Sequence, residues 1–187
     1  MAAAGIPQSL EGQEHMPKKN QKPLVAIAMG SDSDLPIMTE TVRTLHELGI
    51  PYELEITSAH RSPERTAQFA RSAAGRGIKA IVVGAGGAFH LAGVIAAETT
   101  LPVIAVPIAS SPLGGIASLL ATVQMPGGVP VAVMAVGKAG AINAAIFSAQ
   151  ILATTDENLH RQLAQRKARM AQEVAEKSTR LKREFHL

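Results

Sequence analysis

Residues 24–35 read Leu-Val-Ala-Ile-Ala-Met-Gly-Ser-Asp-Ser-Asp-Leu. The first six are an unbroken apolar run, as a strand buried on both faces requires, and Gly30 to Asp34 then supply the small, hydroxylated and acidic residues of a loop. Beyond the loop Leu35, Met38, Val42 and Leu45 recur at helical spacing. The same order of strand, short loop and helix returns along the chain. Tyr52 to Thr57, Lys79 to Gly84, Pro102 to Ile108 and Pro130 to Gly137 are further aliphatic stretches separated by helical patterns, which predicts an α/β fold on a central parallel five-stranded sheet. Tyr52, Leu54 and Ile56 alternate with Glu53 and Glu55, so the second strand belongs nearer an edge. Ser62 followed by Pro63 reads as an N-cap and first-turn pair.

The chain of 187 residues holds one domain with a sizeable core. Residues 1–22 read as a disordered leader, 23–155 as the domain and 156–187 as a C-terminal helix. On that helix Leu159, Leu163, Met170, Val174 and Leu181 form a narrow apolar stripe, the pattern of a helix packed on a neighbouring subunit, so a homo-oligomer is expected. Small residues from Ala135 to Ala149 permit close helix packing. No apolar run reaches the roughly 20 residues of a membrane span, so no membrane partner is expected. Cysteine is absent, which excludes disulfides, thiolate nucleophiles and Cys-based zinc sites and is compatible with a cytoplasmic location. The net charge of +3 is uneven: residues 160–187 carry eight Lys/Arg against three Glu, leaving the rest of the chain at −2. A basic helix face of that kind is a solvated surface, and one Tyr and four Phe offer little for base stacking, so nucleic acid is not an expected partner.

In an open α/β sheet ligands bind beyond the carboxyl ends of the strands, which directs attention to three loops. Gly30-Ser31-Asp32-Ser33-Asp34 precedes a helix, where amide N–H groups, hydroxyls and the helix dipole hold phosphate. Asp34 serves there as helix cap, as acceptor for a sugar hydroxyl, or as both. Ser58-Ala59-His60-Arg61-Ser62-Pro63 sets an imidazole able to give and take a proton at neutral pH beside a permanent cation able to grip phosphate or carboxylate; the alternative is an ordinary surface His-Arg pair. Gly84-Ala85-Gly86-Gly87-Ala88-Phe89-His90 lets backbone approach a ligand and opens a helix with His90, which is either a proton donor or a histidine hydrogen-bonded at a helix start. The other histidines, in the leader, at His46 on a helix and at His160 and His186 on the tail, carry less. Phe89 breaks the dinucleotide-binding glycine pattern, and Gly137-Lys138-Ala139 lacks the rest of a phosphate-binding P-loop, so nicotinamide and ATP-type assignments are rejected. No metal-ligating set and no nucleophile elbow stand out. A small phosphate-bearing ligand with one histidine for acid–base work is what remains.

Those three loops, in order with Val123-Gln124-Met125-Pro126-Gly127-Gly128-Val129-Pro130-Val131, resemble the motifs of the class I PurE family over about Leu24 to Ala153. These are mutases of purine biosynthesis that convert N5-carboxyaminoimidazole ribonucleotide into 4-carboxy-5-aminoimidazole ribonucleotide. The resemblance implies a flavodoxin-like three-layer sandwich, a homo-octamer and neither metal nor organic cofactor. It implies His60 as the general acid–base residue. Ser31, Asp34 and Arg61 would bind the ribose phosphate portion, with Ser33 and Ser58 on the same loops. Gly86, Gly87 and His90 would surround the aminoimidazole and its carboxylate. The chain departs from the family pattern at Phe89 and Ala92, usually Ala and Pro, and at Ala117, often Asp. Phe89 would either narrow the pocket or point into the core, and Ala117 would alter a subunit contact. Two alternatives stand beside the mutase. The class II carboxylases, which use free CO₂ and aminoimidazole ribonucleotide, tend to carry Lys where Arg61 stands and lack the Gly-Gly-Ala-x-His loop. A nonenzymatic nucleotide-binding module would need the phosphate loop but not His60.

Overall fold

The computed structural model describes residues 21–110 and 112–186, so the expected leader, apart from residues 21 and 22, lies outside the described residues. Strands β1 (Val25–Met29), β2 (Tyr52–Ile56), β3 (Ala80–Ala85), β4 (Val103–Pro107) and β5 (Ala132–Val133) alternate with helices. These are α1 (Leu35–Glu47), α2 (Pro63–Arg76), α3 (His90–Ala97), α4 (Ile116–Val123) and α5 (Lys138–Ala153), followed by α6 (Glu157–Glu184). The strands pair in parallel in the order β2-β1-β3-β4-β5. That order is the flavodoxin-like one, with its switch between β1 and β3.

Alternation along each central strand divides the core in two. Val25, Ile27 and Met29 join Val82, Ile104 and Val106 under α1, α5 and the start of α6. Ala26 and Ala28 join Ile81, Val83 and Ala105 on the opposite face, under α2 and α3. Since both faces are covered, every residue of β1, β3 and β4 is buried. As expected, β2 lies at an edge, but its carboxylates are not idle: Glu53 bonds Arg76 at 2.7 Å and Glu55 bonds Arg65, tying the strand to α2. Leu54 and Ile56, facing the other way, stay 47% exposed each.

Three local expectations are corrected. The fifth strand, expected over Pro130 to Gly137, forms a regular ladder only at Ala132–Val133. Pro130 has no N–H to donate, and beyond the ladder contact with β4 continues through isolated bonds, Met134 N–H to Ala105 O at 2.9 Å and Gly137 N–H to Pro107 O at 2.9 Å. Ser62 precedes α2 as expected but makes no side-chain cap. Asp34 precedes α1 without capping it and closes the preceding 3₁₀ turn instead. On α6, capped by Asp156, Leu159 and Leu163 pack against the chain's own core, whereas Met170, Val174 and Leu181 are 56%, 66% and 56% exposed. No helix among the described residues is long and apolar enough to cross a membrane.

The small residues of α5 let it pack closely, Ala141, Ala144, Ala145 and Ala149 in the core with α1 and Gly140 against the chain leaving β5. A Cβ on Gly140 would sit 1.6 Å from the backbone oxygen of Ala135. Alanine normally gains about 1 kcal/mol over glycine inside a helix, but backbone cannot rotate out of the way as a side chain can. Gly140→Ala is therefore expected to destabilise the fold by about 1–3 kcal/mol, the usual cost of overpacking, read as a lowered urea midpoint at unchanged slope. A raised midpoint would show that α5 shifts freely.

Candidate active site

The loops after β1, β2, β3 and β4 meet over the switch between β1 and β3 and enclose a cavity of about 280 Å³. Each is shaped by short polar contacts. Ser31 accepts from the Ser33 N–H at 3.3 Å and its own N–H donates to Asp34 Oδ2 at 3.1 Å, a reciprocal capping box that fixes the first loop. Asp34 is 4% exposed, and burial pushes its carboxyl above the usual carboxylate range, against the opposing effect of the Ser31 and Gly30 amides.

Hydroxyl groups organise the second loop. Thr57 and Thr66 share a hydrogen bond of 2.7 Å, while Ser62 Oγ accepts from the Ser58 N–H at 3.0 Å and donates to Ser58 O at 3.2 Å. This is why Ser62 does not cap α2: its hydroxyl is engaged in closing the loop. Ser58 Oγ in turn accepts from the Arg61 N–H at 3.2 Å. The turn so formed holds His60 and Arg61 out toward the cavity, and Arg61 Nη2 reaches Gly30 O at 3.5 Å, linking the first two loops.

In the third loop the two glycines differ in purpose. Gly87 has φ +60° in a turn closed by Phe89 N–H to Gly86 O at 3.2 Å. Gly86 needs no unusual φ; a Cβ there would lie 1.6 Å from Ser110 Oγ, so it is glycine because the β4 loop lies against it. Phe89 is left-handed at φ 42°, ψ 48°, and its ring is 4% exposed in the core under α2 and α3. The ring thus points into the core, and the next residue, His90, turns into the cavity as the first of α3. His90 Nδ1 stands 2.7 Å from His60 Nε2 with the rings nearly perpendicular. One of these nitrogens carries hydrogen and the other offers a lone pair, so the contact is a ready path for a single proton.

All nine residues singled out from the sequence, namely Ser31, Ser33, Asp34, Ser58, His60, Arg61, Gly86, Gly87 and His90, line this one cavity. His46 is buried in α1, and neither it nor His160 nor His186 reaches the cavity. Sequence reading missed Ser110. The β4 loop carries no titratable group to draw notice, although the rule that ligands lie beyond strand carboxyl ends covers that loop as well. Ala92 is fully buried on the core face of α3, and Ala117 is half-buried on α4.

Topology and cavity together define a flavodoxin-like α/β protein with a polar pocket at its switch point. A sequence model of the AIR carboxylase family matches residues 24–173, and the chain belongs to that family. It is 52% identical over 160 residues to the N5-carboxyaminoimidazole ribonucleotide mutase of Bacillus subtilis, covering 86% of this chain and 99% of the relative. The Pyrococcus horikoshii protein of the same name is 51% identical over 163 residues, covering 87% and 91% respectively. The Escherichia coli protein of that name is 47% identical over 161 residues, covering 86% and 95%. Among solved structures, Treponema denticola PurE superposes with a TM-score of 0.77 at 28% identity, covering 86% of this chain and 99% of that one.

Burial of Asp34 has a signed consequence for stability. With its folded pKa raised, the folded state holds more proton than the unfolded one between the unfolded value of about 3.9 and the folded value. The group's contribution is therefore most favourable below that window and is lost as pH rises through it. Asp34→Asn keeps an acceptor for the Ser31 amide without the charge. The difference in urea midpoint, wild type minus variant, is expected to fall with rising pH through this window and then level off; parallel midpoints would refute it.

Proposed function

We propose that the protein converts N5-carboxyaminoimidazole ribonucleotide into 4-carboxy-5-aminoimidazole ribonucleotide. The observation that carries this reading is the His60–His90 contact of 2.7 Å, set in a cavity with Arg61 and the serine-rich first loop. Curated relatives of that name at about half identity, matched over nearly their full length, support it.

The chemistry follows from the arrangement. Ser31, Ser33, Asp34, Ser58 and Arg61 hold the ribose phosphate end; the guanidinium and the loop amides meet phosphate, and Asp34 accepts from a sugar hydroxyl. Gly86, Gly87 and His90 surround the aminoimidazole. The N–carboxylate bond breaks, CO₂ leaves, and the exocyclic nitrogen takes a proton from His60. Ring carbon C4 then attacks the retained CO₂, and the proton lost from C4 returns to His60. One proton completes the cycle, so substrate and product are isomers. Holding CO₂ beside C4 replaces a bimolecular capture by an intramolecular one.

The family description, AIR carboxylase, favours a second reading in which free CO₂ is captured by aminoimidazole ribonucleotide. Arg61 and the Gly86-Gly87-Ala88-Phe89-His90 loop argue for the mutase, because the class II carboxylases tend to carry Lys at the first and to lack the second. Assembly belongs to the same proposal. Met170 and Val174 on α6, and Ile116, Leu120 and Val123 on α4, leave apolar faces at 50–66% exposure, which supports subunit contacts there with α6 packed on a neighbouring subunit; the homo-octamer and the cytoplasmic location are what the resemblance to class I PurE implies.

Purified protein given N5-carboxyaminoimidazole ribonucleotide at low bicarbonate is expected to form the C4-carboxylated product. Product only from aminoimidazole ribonucleotide plus bicarbonate would replace the mutase by the carboxylase. His60→Asn is expected to lower kcat by about 10²–10⁴-fold while calorimetric affinity for the product ribonucleotide stays within a few-fold. Undiminished turnover would remove His60 from the mechanism. Light scattering is expected to give eight times the 19.5 kDa chain mass, and any smaller multiple would overturn the octamer.

A further inference from the structure

We propose that the Ser110 hydroxyl is a further substrate-binding group, holding the carboxyl carbon's oxygens while that carbon passes from nitrogen to C4. The proposal rests on the mutase reading and assigns a part in it to the β4 loop. Three observations converge on this hydroxyl.

The first is position. Ile108 N–H bonds Ala85 O at 3.0 Å, so the chain leaving β4 runs alongside the end of β3, and the turn from Ser110 N–H to Ile108 O at 3.0 Å directs Ser110 back over the glycine loop. Its side chain lines the cavity, on the wall shared by Gly86 and His90. The second is the fit with Gly86. Because Ser110 Oγ lies 1.6 Å from where a Cβ on Gly86 would stand, residue 86 has in effect exchanged its own side chain for the hydroxyl of residue 110. The third is availability. Nearby hydroxyls are spent as donors on backbone, Ser62 on Ser58 O at 3.2 Å and Ser118 on Ile108 O at 3.2 Å, and Ser58 and Ser33 sit on the first two loops, away from the glycine loop. Ser110 Oγ, among the described residues, makes no such bond, and it is exposed to the cavity.

The chemistry of the transfer needs a group of this kind. Between the two bonds the carboxyl carbon is free CO₂, which carries no net charge and escapes unless local donors meet its oxygens. Each covalent form, by contrast, is a carboxylate that accepts hydrogen bonds strongly. A neutral hydroxyl serves all three states: it donates to the carboxylates, and it donates more weakly to CO₂ without competing for the proton that His60 carries. Among the described residues the amides of Gly87 and Ala88 donate to no backbone carbonyl, so the hydroxyl completes a small set of donors at the glycine loop. No bond to Ser110 forms or breaks; the electron pair of the N–C bond goes to nitrogen, and that of the C4–C bond comes from the ring.

The test is Ser110→Ala assayed with N5-carboxyaminoimidazole ribonucleotide labelled with ¹³C in the carboxylate, in unlabelled bicarbonate, with label in the C4 product read by mass spectrometry and spontaneous decay subtracted from a protein-free blank. Wild type is expected to retain the label. The variant, folded as judged by an unchanged urea midpoint, is expected to lose roughly 10–100-fold in kcat/KM, as for a deleted hydrogen bond to a charged group. It is also expected to release aminoimidazole ribonucleotide and to form product with diluted label. Slower turnover with full label retention would reduce Ser110 to a packing residue and overturn the proposal, as would unchanged kinetics. Wild type that forms no product from this substrate would instead overturn the mutase reading, and this inference with it.

Discussion

The covering of the sheet on both faces is the constraint from which the rest of the molecule follows. Residues Val25 to Ala28 have no exposure at all, and Ile81 to Val83 and Ile104 to Val106 share that condition. A polar side chain in such a strand would be taken from water without a partner, at a cost of about 1–3 kcal/mol or more. Polar chemistry is thereby excluded from the body of the sheet and displaced to the strand ends. Parallel pairing then places the ends of successive strands together, so four loops that are distant in sequence become walls of one cavity.

A cavity assembled from loops has to be held in shape by something other than the sheet, and here that is a set of hydroxyls and small turns. Thr57, Ser58, Ser62 and Thr66 bond to one another and to nearby amides and so brace the His60 loop from within. Such order reduces what binding must later spend on arranging the loop. Asp34 follows the same logic with a cost attached. Its carboxylate closes the first loop from a buried position that raises its pKa, so a cavity-lining group is kept where stability alone would not place it.

Much of this was legible in the sequence because the physical signals are local. Continuous apolar runs report strands buried twice, and helical spacing from Leu35 to Leu45 reports α1. The chemistry of the first three loops could be read because a histidine, an arginine or a glycine cluster directly follows a strand. What escaped depends on neighbours distant in sequence. The brevity of β5 reflects how far its partner ladder extends, which an apolar run does not encode. Ser62 looked like a cap because the competing amide of Ser58 is brought near only when the loop turns. Ser110 was silent because serine is ordinary on its own; it gains meaning only when β4 lies beside β3 and Gly86 leaves room for it.

Phe89 brings both kinds of signal into one residue. A left-handed backbone costs an L-residue about 1–2 kcal/mol, and a bulky side chain is an uncommon occupant. Burying a phenyl ring contributes about 1.5–3 kcal/mol, and this ring is buried in the cluster that holds Phe69, Leu91 and Ile95. The strain is therefore offset where it arises. Its consequence lies one residue further on, since the left-handed turn sends the ring into the core and begins α3 with His90 facing the cavity, 2.7 Å from His60. Of the two readings the sequence left open for residue 89, the structure takes the second: the ring points into the core and anchors the loop from beneath.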